Sequence, residues 1–147
     1  MGVTREDVIK LYVAMFYRAP EGSGVDYWYQ TAQDNDWGVA ELADNMIYAA
    51  VQYVQGNPSY ESIYPAYANL DLGNLTEESV RAVINEVYKI LFNKDYSVDP
   101  EGIDYWVSNV VDNGISLGTT IATMLIAAEE YLDSEDPEAK AAAEAFV

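Results

Sequence analysis

One pentapeptide pattern occurs twice in this chain. Gly24-Val25-Asp26-Tyr27-Trp28 returns 78 positions later as Gly102-Ile103-Asp104-Tyr105-Trp106. The same offset relates Asp34-Asn35 to Asp112-Asn113, Met46 to Met124 and Ala49-Ala50 to Ala127-Ala128. Upstream of the motif, residues 11–16 align with 87–92 at an offset of 76, so the loop before the second motif is longer by a net two residues. Within that loop Pro20-Glu21-Gly22 recurs as Pro100-Glu101-Gly102. A register kept on both sides of a length change points to duplication of one folding unit, and any fold for the chain has to accommodate two copies.

Each copy reads as three helices. Val8, Leu11, Tyr12, Met15 and Phe16 keep the spacing of one buried helical stripe, and Val80, Val83, Ile84, Val87, Tyr88, Leu91 and Phe92 form its counterpart. Thr4 with Asp7, and Thr76 before Glu77-Glu78, supply N-terminal caps and acidic first turns. For the second helices, Ser23 with Asp26 predicts a capping box, and Asp99-Pro100 predicts a cap followed by proline in the first turn. The third helices carry Val39, Leu42, Ala43, Met46, Ala50 and Tyr53 on one face, and Leu117, Ile121, Met124, Leu125, Ala128 and Leu132 on the other copy's. No segment alternates with period two. The expected class is therefore all-α, two tandem three-helix repeats packed as one bundle-like unit, with repeats over 1–55 and 75–133. Residues 56–74 read as a linker lying on the surface, and 134–147 as a short C-terminal helix from Asp136-Pro137 or the start of a longer chain.

Composition narrows the partners. A chain of 147 residues, half of them apolar, buries one sizeable core. With 25 acidic residues against 7 basic ones the formal charge is -18, a field that repels nucleic-acid phosphates and anionic membrane surfaces unless cations intervene. There is no Cys and no His, which removes disulfides, thiolate nucleophiles and the commonest general base. No apolar run approaches the roughly 20 residues of a membrane span, so no direct membrane insertion is expected. The first residues lack a basic start followed by an apolar stretch, so no ordinary signal peptide is expected there. No phosphate-cradling glycine loop, nucleophile elbow or metal triad is visible, and the chain is not expected to be an enzyme.

The helix ending Leu11-Tyr12-Val13-Ala14-Met15-Phe16, the loop with Pro20-Glu21-Gly22, then Asp26-Tyr27-Trp28 and an Ala-rich third helix resemble a bacterial helical-repeat domain found in secreted, calcium-binding RTX-type proteins. More closely, residues 4–28 resemble the N-terminal region of Gram-negative S-layer proteins. That resemblance implies a non-catalytic module on the cell surface of a Gram-negative bacterium. Such a module anchors a secreted protein to lipopolysaccharide or another surface polysaccharide, with self-assembly through the parent protein and export by an uncleaved C-terminal signal. The alternative is a structural or protein-interaction module of a larger secreted adhesin or enzyme, without glycan affinity.

Two sets of residues are candidate sites. Asn93, Asp95, Ser97, Asp99, Glu101 and Asp104 fall at positions 1, 3, 5, 7, 9 and 12 of a helix-to-helix loop, the oxygen-ligand spacing of an EF-hand, which makes calcium the candidate cofactor. Against it, Val98 stands where that loop needs glycine, Pro100 intrudes, and Asp104 replaces the long bidentate Glu. A capped, solvated helix start is the competing reading. Trp37 and the linker residues Tyr60, Tyr64 and Tyr67 lie outside the repeated pattern. Exposed rings beside carboxylates and amides stack on sugar faces, so these four are the candidate glycan platform; the linker tyrosines equally serve to pin the linker to the helices. Trp28 and Trp106 read as core anchors, and Asp26 and Asp104 as supports for the start of their own helices.

Overall fold

The structure, a computed structural model, describes residues 2–17 and 22–132, and among them it is all helical. Eight helices are described in chain order: α1 Arg5–Phe16, α2 Gly22–Asp34, α3 Val39–Gln55, α4 Pro58–Glu61, α5 Pro65–Ala68, α6 Glu77–Phe92, α7 Pro100–Val111 and α8 Leu117–Leu132. The expected C-terminal helix at Asp136-Pro137 and most of the first motif's Pro-Glu-Gly loop lie outside the described residues.

Helix starts follow local chemistry. Thr4 and Asp7 exchange side chain-to-backbone hydrogen bonds at 3.1 and 2.9 Å, and Thr76 does the same with Ser79 at 3.0 Å in each direction. Asp99 caps α7 by accepting from the Gly102 N–H at 3.1 Å, with Pro100 at the first helical position. The capping box expected from Ser23 and Asp26 does not form. Ser23 already lies inside α2, and the Asp26 carboxylate accepts instead from Arg5 Nε on α1 at 3.3 Å.

The predicted stripes form one apolar cluster. Val8, Leu11, Met15, Leu42, Met46, Val80, Ile84, Leu91, Ile121 and Met124 are all buried in it, each contributing about 1.5–3 kcal/mol. The cluster mixes both halves of the sequence, because α3 makes its most extensive helix contact with α8. That crossing is close at the start of α8. A Cβ at Gly118 would overlap the Asp44 and Ala43 backbone of α3, and beside it Ser116 Oγ donates to Asp44 Oδ2 at 2.9 Å.

Residues 56–74, expected as a surface linker, stay largely exposed, but part of the segment reaches the core. Tyr64, Tyr67 and Leu70 are buried, and α5 packs between α3 and α6. The reason lies at the C-terminus of α1, whose last carbonyls have no partner within the helix. Tyr67 Oη donates to the Met15 carbonyl and Tyr64 Oη to the Phe16 carbonyl, each at 2.9 Å. Gln55 Nε2 secures the same segment from α3 by donating to the Leu70 carbonyl at 2.8 Å and the Tyr67 carbonyl at 3.2 Å. Among the described residues no helix is long and apolar enough to cross a membrane.

Candidate functional site: an aromatic groove beside the first motif

Where α1, α2, α3 and α4 converge, six rings surround a groove of about 300 Å³. Tyr12 and Phe16 come from α1, Trp28 from α2, Tyr53 from α3, Tyr60 from α4, and Tyr64 from the residue before α5. Met46, Ala49, Ala50 and Val54 complete the lining among the described residues. The rings are mutually packed: Tyr12 lies 4.6 Å from Phe16, Tyr53 lies 5.1 Å from Tyr60, and Tyr60 is stacked 6.4 Å from Tyr64. Among the described residues no Lys, Arg, Asp or Glu lines the groove. Polar capacity comes from the edges of its rings. The hydroxyls of Tyr12 and Tyr60 and the indole N–H of Trp28 form no hydrogen bond among the described residues. A concave apolar wall of aromatic faces with a few polar edges takes a small ligand that has an apolar face and a hydroxylated rim.

The groove lies beside the first motif. Tyr12 and Phe16 are half-buried there, while their counterparts Tyr88 and Phe92 are buried outright. Tyr88 also has its hydroxyl engaged, donating to Asp99 Oδ2 in a short hydrogen bond. Asp99 belongs to the longer loop that distinguishes the second copy. That bond, joined by the Gly102 N–H and the charge of Lys94, holds the Asp99 carboxyl below the usual carboxylate range. Gly102 is required at this contact, because a Cβ there would lie 2.6 Å from Tyr88 Oη.

The four glycan candidates separate in the structure. Tyr60 and Tyr64 line the groove. Tyr67 is 1% exposed with its hydroxyl on the Met15 carbonyl, so it is a pin for the linker and not an exposed platform. Trp37 is half-buried against the core, away from the groove, its backbone N–H donating to the Ala32 carbonyl at 2.9 Å. Sequence reading missed Tyr12, Phe16, Trp28 and Tyr53, which it assigned to core stripes. Their signal was an excess of rings at the border of those stripes, coinciding with tyrosines in the adjoining segment.

Four of the six calcium candidates, Asp95, Ser97, Asp99 and Asp104, have side chains engaged by the protein. Asn93 is the left-handed cap of α6. Asp95 Oδ1 accepts from the Ser97 N–H at 3.0 Å and from its hydroxyl, which lowers the Asp95 pKa. Asp99 is the α7 cap just described, and Glu101 lies exposed in the first turn of α7. Asp104 accepts from Arg81 Nη2 at 3.2 Å and from Tyr96 Oη at 3.1 Å. Among the described residues no group of three or more acidic side chains gathers where it could hold a metal ion. The loop is closed by protein hydrogen bonds, including the Tyr96 N–H to Asn85 Oδ1 at 2.8 Å, where an EF-hand is closed by its ion.

No protein-family model, no curated protein and no solved structure matches the chain.

Proposed function

We propose that the chain is a non-catalytic anchoring module of a secreted S-layer-type protein. On this reading it binds lipopolysaccharide or a related surface polysaccharide of a Gram-negative cell, and the aromatic groove is the sugar site. The observation that carries the reading is the groove itself. Six rings and three polar ring edges offer a pyranose both stacking on its apolar face and hydrogen bonding at its hydroxyls. The resemblance of residues 4–28 to S-layer N-terminal regions supports the same assignment. Calcium enters as a mobile bridge between a chain of formal charge -18 and phosphorylated lipopolysaccharide, with no dedicated protein cage required. Co-sedimentation of the purified chain with smooth lipopolysaccharide and with whole cells tests the proposal. Binding that rises with calcium and falls with chelator is expected; absence of binding in both conditions ends it.

One observation favours the alternative of a protein-interaction module. Tyr27 and Tyr105, the same residue of each motif, are 62% and 60% exposed. Matched outward rings on α2 and α7 suit contact with another protein domain, and cross-linking within the parent protein distinguishes this from glycan anchoring.

A further inference from the structure

Tyr17 ends α1 in a left-handed backbone conformation, φ 63° and ψ 19°. That region crowds any side chain bearing a Cβ; Gly occupies it freely and Asn with little difficulty, whereas a bulky residue there is an outlier. Asn93, at the offset of 76 that relates the ends of the first helices, holds the same cap at φ 56° and ψ 35°. Both caps do the same backbone work, Tyr17 N–H donating to the Val13 carbonyl at 2.9 Å and Asn93 N–H to the Lys89 carbonyl at 3.1 Å. The cap chemistry therefore calls for asparagine, and the ring at position 17 needs a separate reason.

The ring packs behind the groove wall. It lies 5.6 Å from the Tyr64 ring at 35°, and Tyr64 meets Phe16 edge-on at 6.2 Å and 90°. Tyr64 and Phe16 line the groove, whereas Tyr17 does not. Burial pushes the Tyr17 hydroxyl pKa up, with Glu86 and Tyr64 adding to it, so the ring stays neutral. The Tyr64 hydroxyl is thus held by the Phe16 carbonyl at 2.9 Å, and Tyr17 backs its ring from the side away from the groove, alongside contacts with Phe16, Tyr60 and Tyr67.

We infer that Tyr17 is a positioning residue for the aromatic groove, its strained cap placing a ring that fixes Tyr64 against Phe16. This rests on the groove as the sugar site, but its geometric part is testable without a ligand. Tyr17→Asn installs the second copy's cap and deletes the ring, while Tyr17→Phe keeps the ring. In Tyr17→Asn, relief of strain offsets the lost packing. The variant should therefore melt within roughly 3 °C of the unaltered chain. It should nonetheless lose the nuclear Overhauser contacts between the Phe16 and Tyr64 rings and bind smooth lipopolysaccharide about tenfold more weakly. Tyr17→Phe should retain both. Unchanged ring contacts in Tyr17→Asn overturn the inference. Loss of fold in that variant overturns it as well, since the ring would then belong to the core and not to the groove. If the unaltered chain binds no lipopolysaccharide, the functional reading fails while the ring contacts still decide the role of Tyr17.

Discussion

Arg81 reaches from α6 to α7 and donates to Asp104, the aspartate of the second Asp-Tyr-Trp, with Nη2 3.2 Å from Oδ1. Arg5 makes the matching contact from α1 to Asp26 on α2 at 3.3 Å. The recurring aspartate is therefore a brace to the preceding helix. The two braces differ in strength. Each arginine stands over a ring, Arg5 over Tyr29 and Arg81 over Tyr96, but Arg81 is only 27% exposed and is also paired with Glu77 at 2.7 Å, whereas Arg5 and Asp26 are both largely exposed. A double-mutant cycle on Arg81→Ala and Asp104→Ala should give a coupling of about 0.5–1 kcal/mol by chemical denaturation, and the Arg5–Asp26 cycle should be close to zero. Equal couplings would show that burial and the second partner contribute nothing.

The helix crossing at Gly118 has no room for a methyl group, because the Ala43–Asp44 backbone of α3 occupies the space. Gly118→Ala should destabilise the fold by about 1–3 kcal/mol despite alanine's better helix propensity. The control is Gly24→Ala in α2, where among the described residues nothing lies within 4 Å of the added Cβ. That change should be neutral or stabilising in the same melt.

Thr120 is 1% exposed, and its hydroxyl has no hydrogen-bond partner among the described residues. Its counterpart at the 78 offset is Leu42, also fully buried. Thr120→Val keeps the shape and removes an unsatisfied polar atom. It should stabilise the chain by about 1 kcal/mol in urea unfolding.

Acid should loosen the second motif at Asp99. Its folded pKa lies below the ordinary 3.8, first through the Tyr88 hydroxyl and then through the Gly102 N–H and Lys94. A folded value below the unfolded one gives a contribution that is complete above the unfolded pKa. That contribution is lost as the pH falls through the folded value. Tyr88→Phe should therefore lower stability at neutral pH, and the difference from the unaltered chain should shrink below about pH 4. A difference independent of pH between 2 and 7 would mean that the Tyr88–Asp99 bond does not favour the carboxylate.

Short-range features were legible in the sequence because their chemistry is local. Thr4, Thr76 and Asp99 cap helices through partners three residues away, and the apolar stripes follow the helical period. Ser23 shows the limit, since α2 already includes it and leaves it no capping position. The groove was only half legible. Tyr60 and Tyr64 stood out by lying outside the repeat, but Tyr12, Phe16 and Trp28 obey the core pattern. They become a wall only after Tyr64 and Tyr67 bond to carbonyls 48 and 52 residues earlier. Equally, spacing alone brought six oxygen ligands into an EF-hand register, whereas the fold adds partners that spacing does not show, Tyr88 for Asp99 and Arg81 with Tyr96 for Asp104.

The central claim is that the groove beside the first motif, and not its buried counterpart, holds the sugar. Calorimetric titration of smooth lipopolysaccharide polysaccharide into the unaltered chain, Trp28→Ala and Trp106→Ala tests it most directly, with thermal melts confirming that each variant is folded. Trp28 lines the groove and Trp106 does not. The account predicts binding that falls about tenfold in Trp28→Ala and is unchanged in Trp106→Ala. Equal affinity in all three chains, or none in the unaltered one, would contradict it.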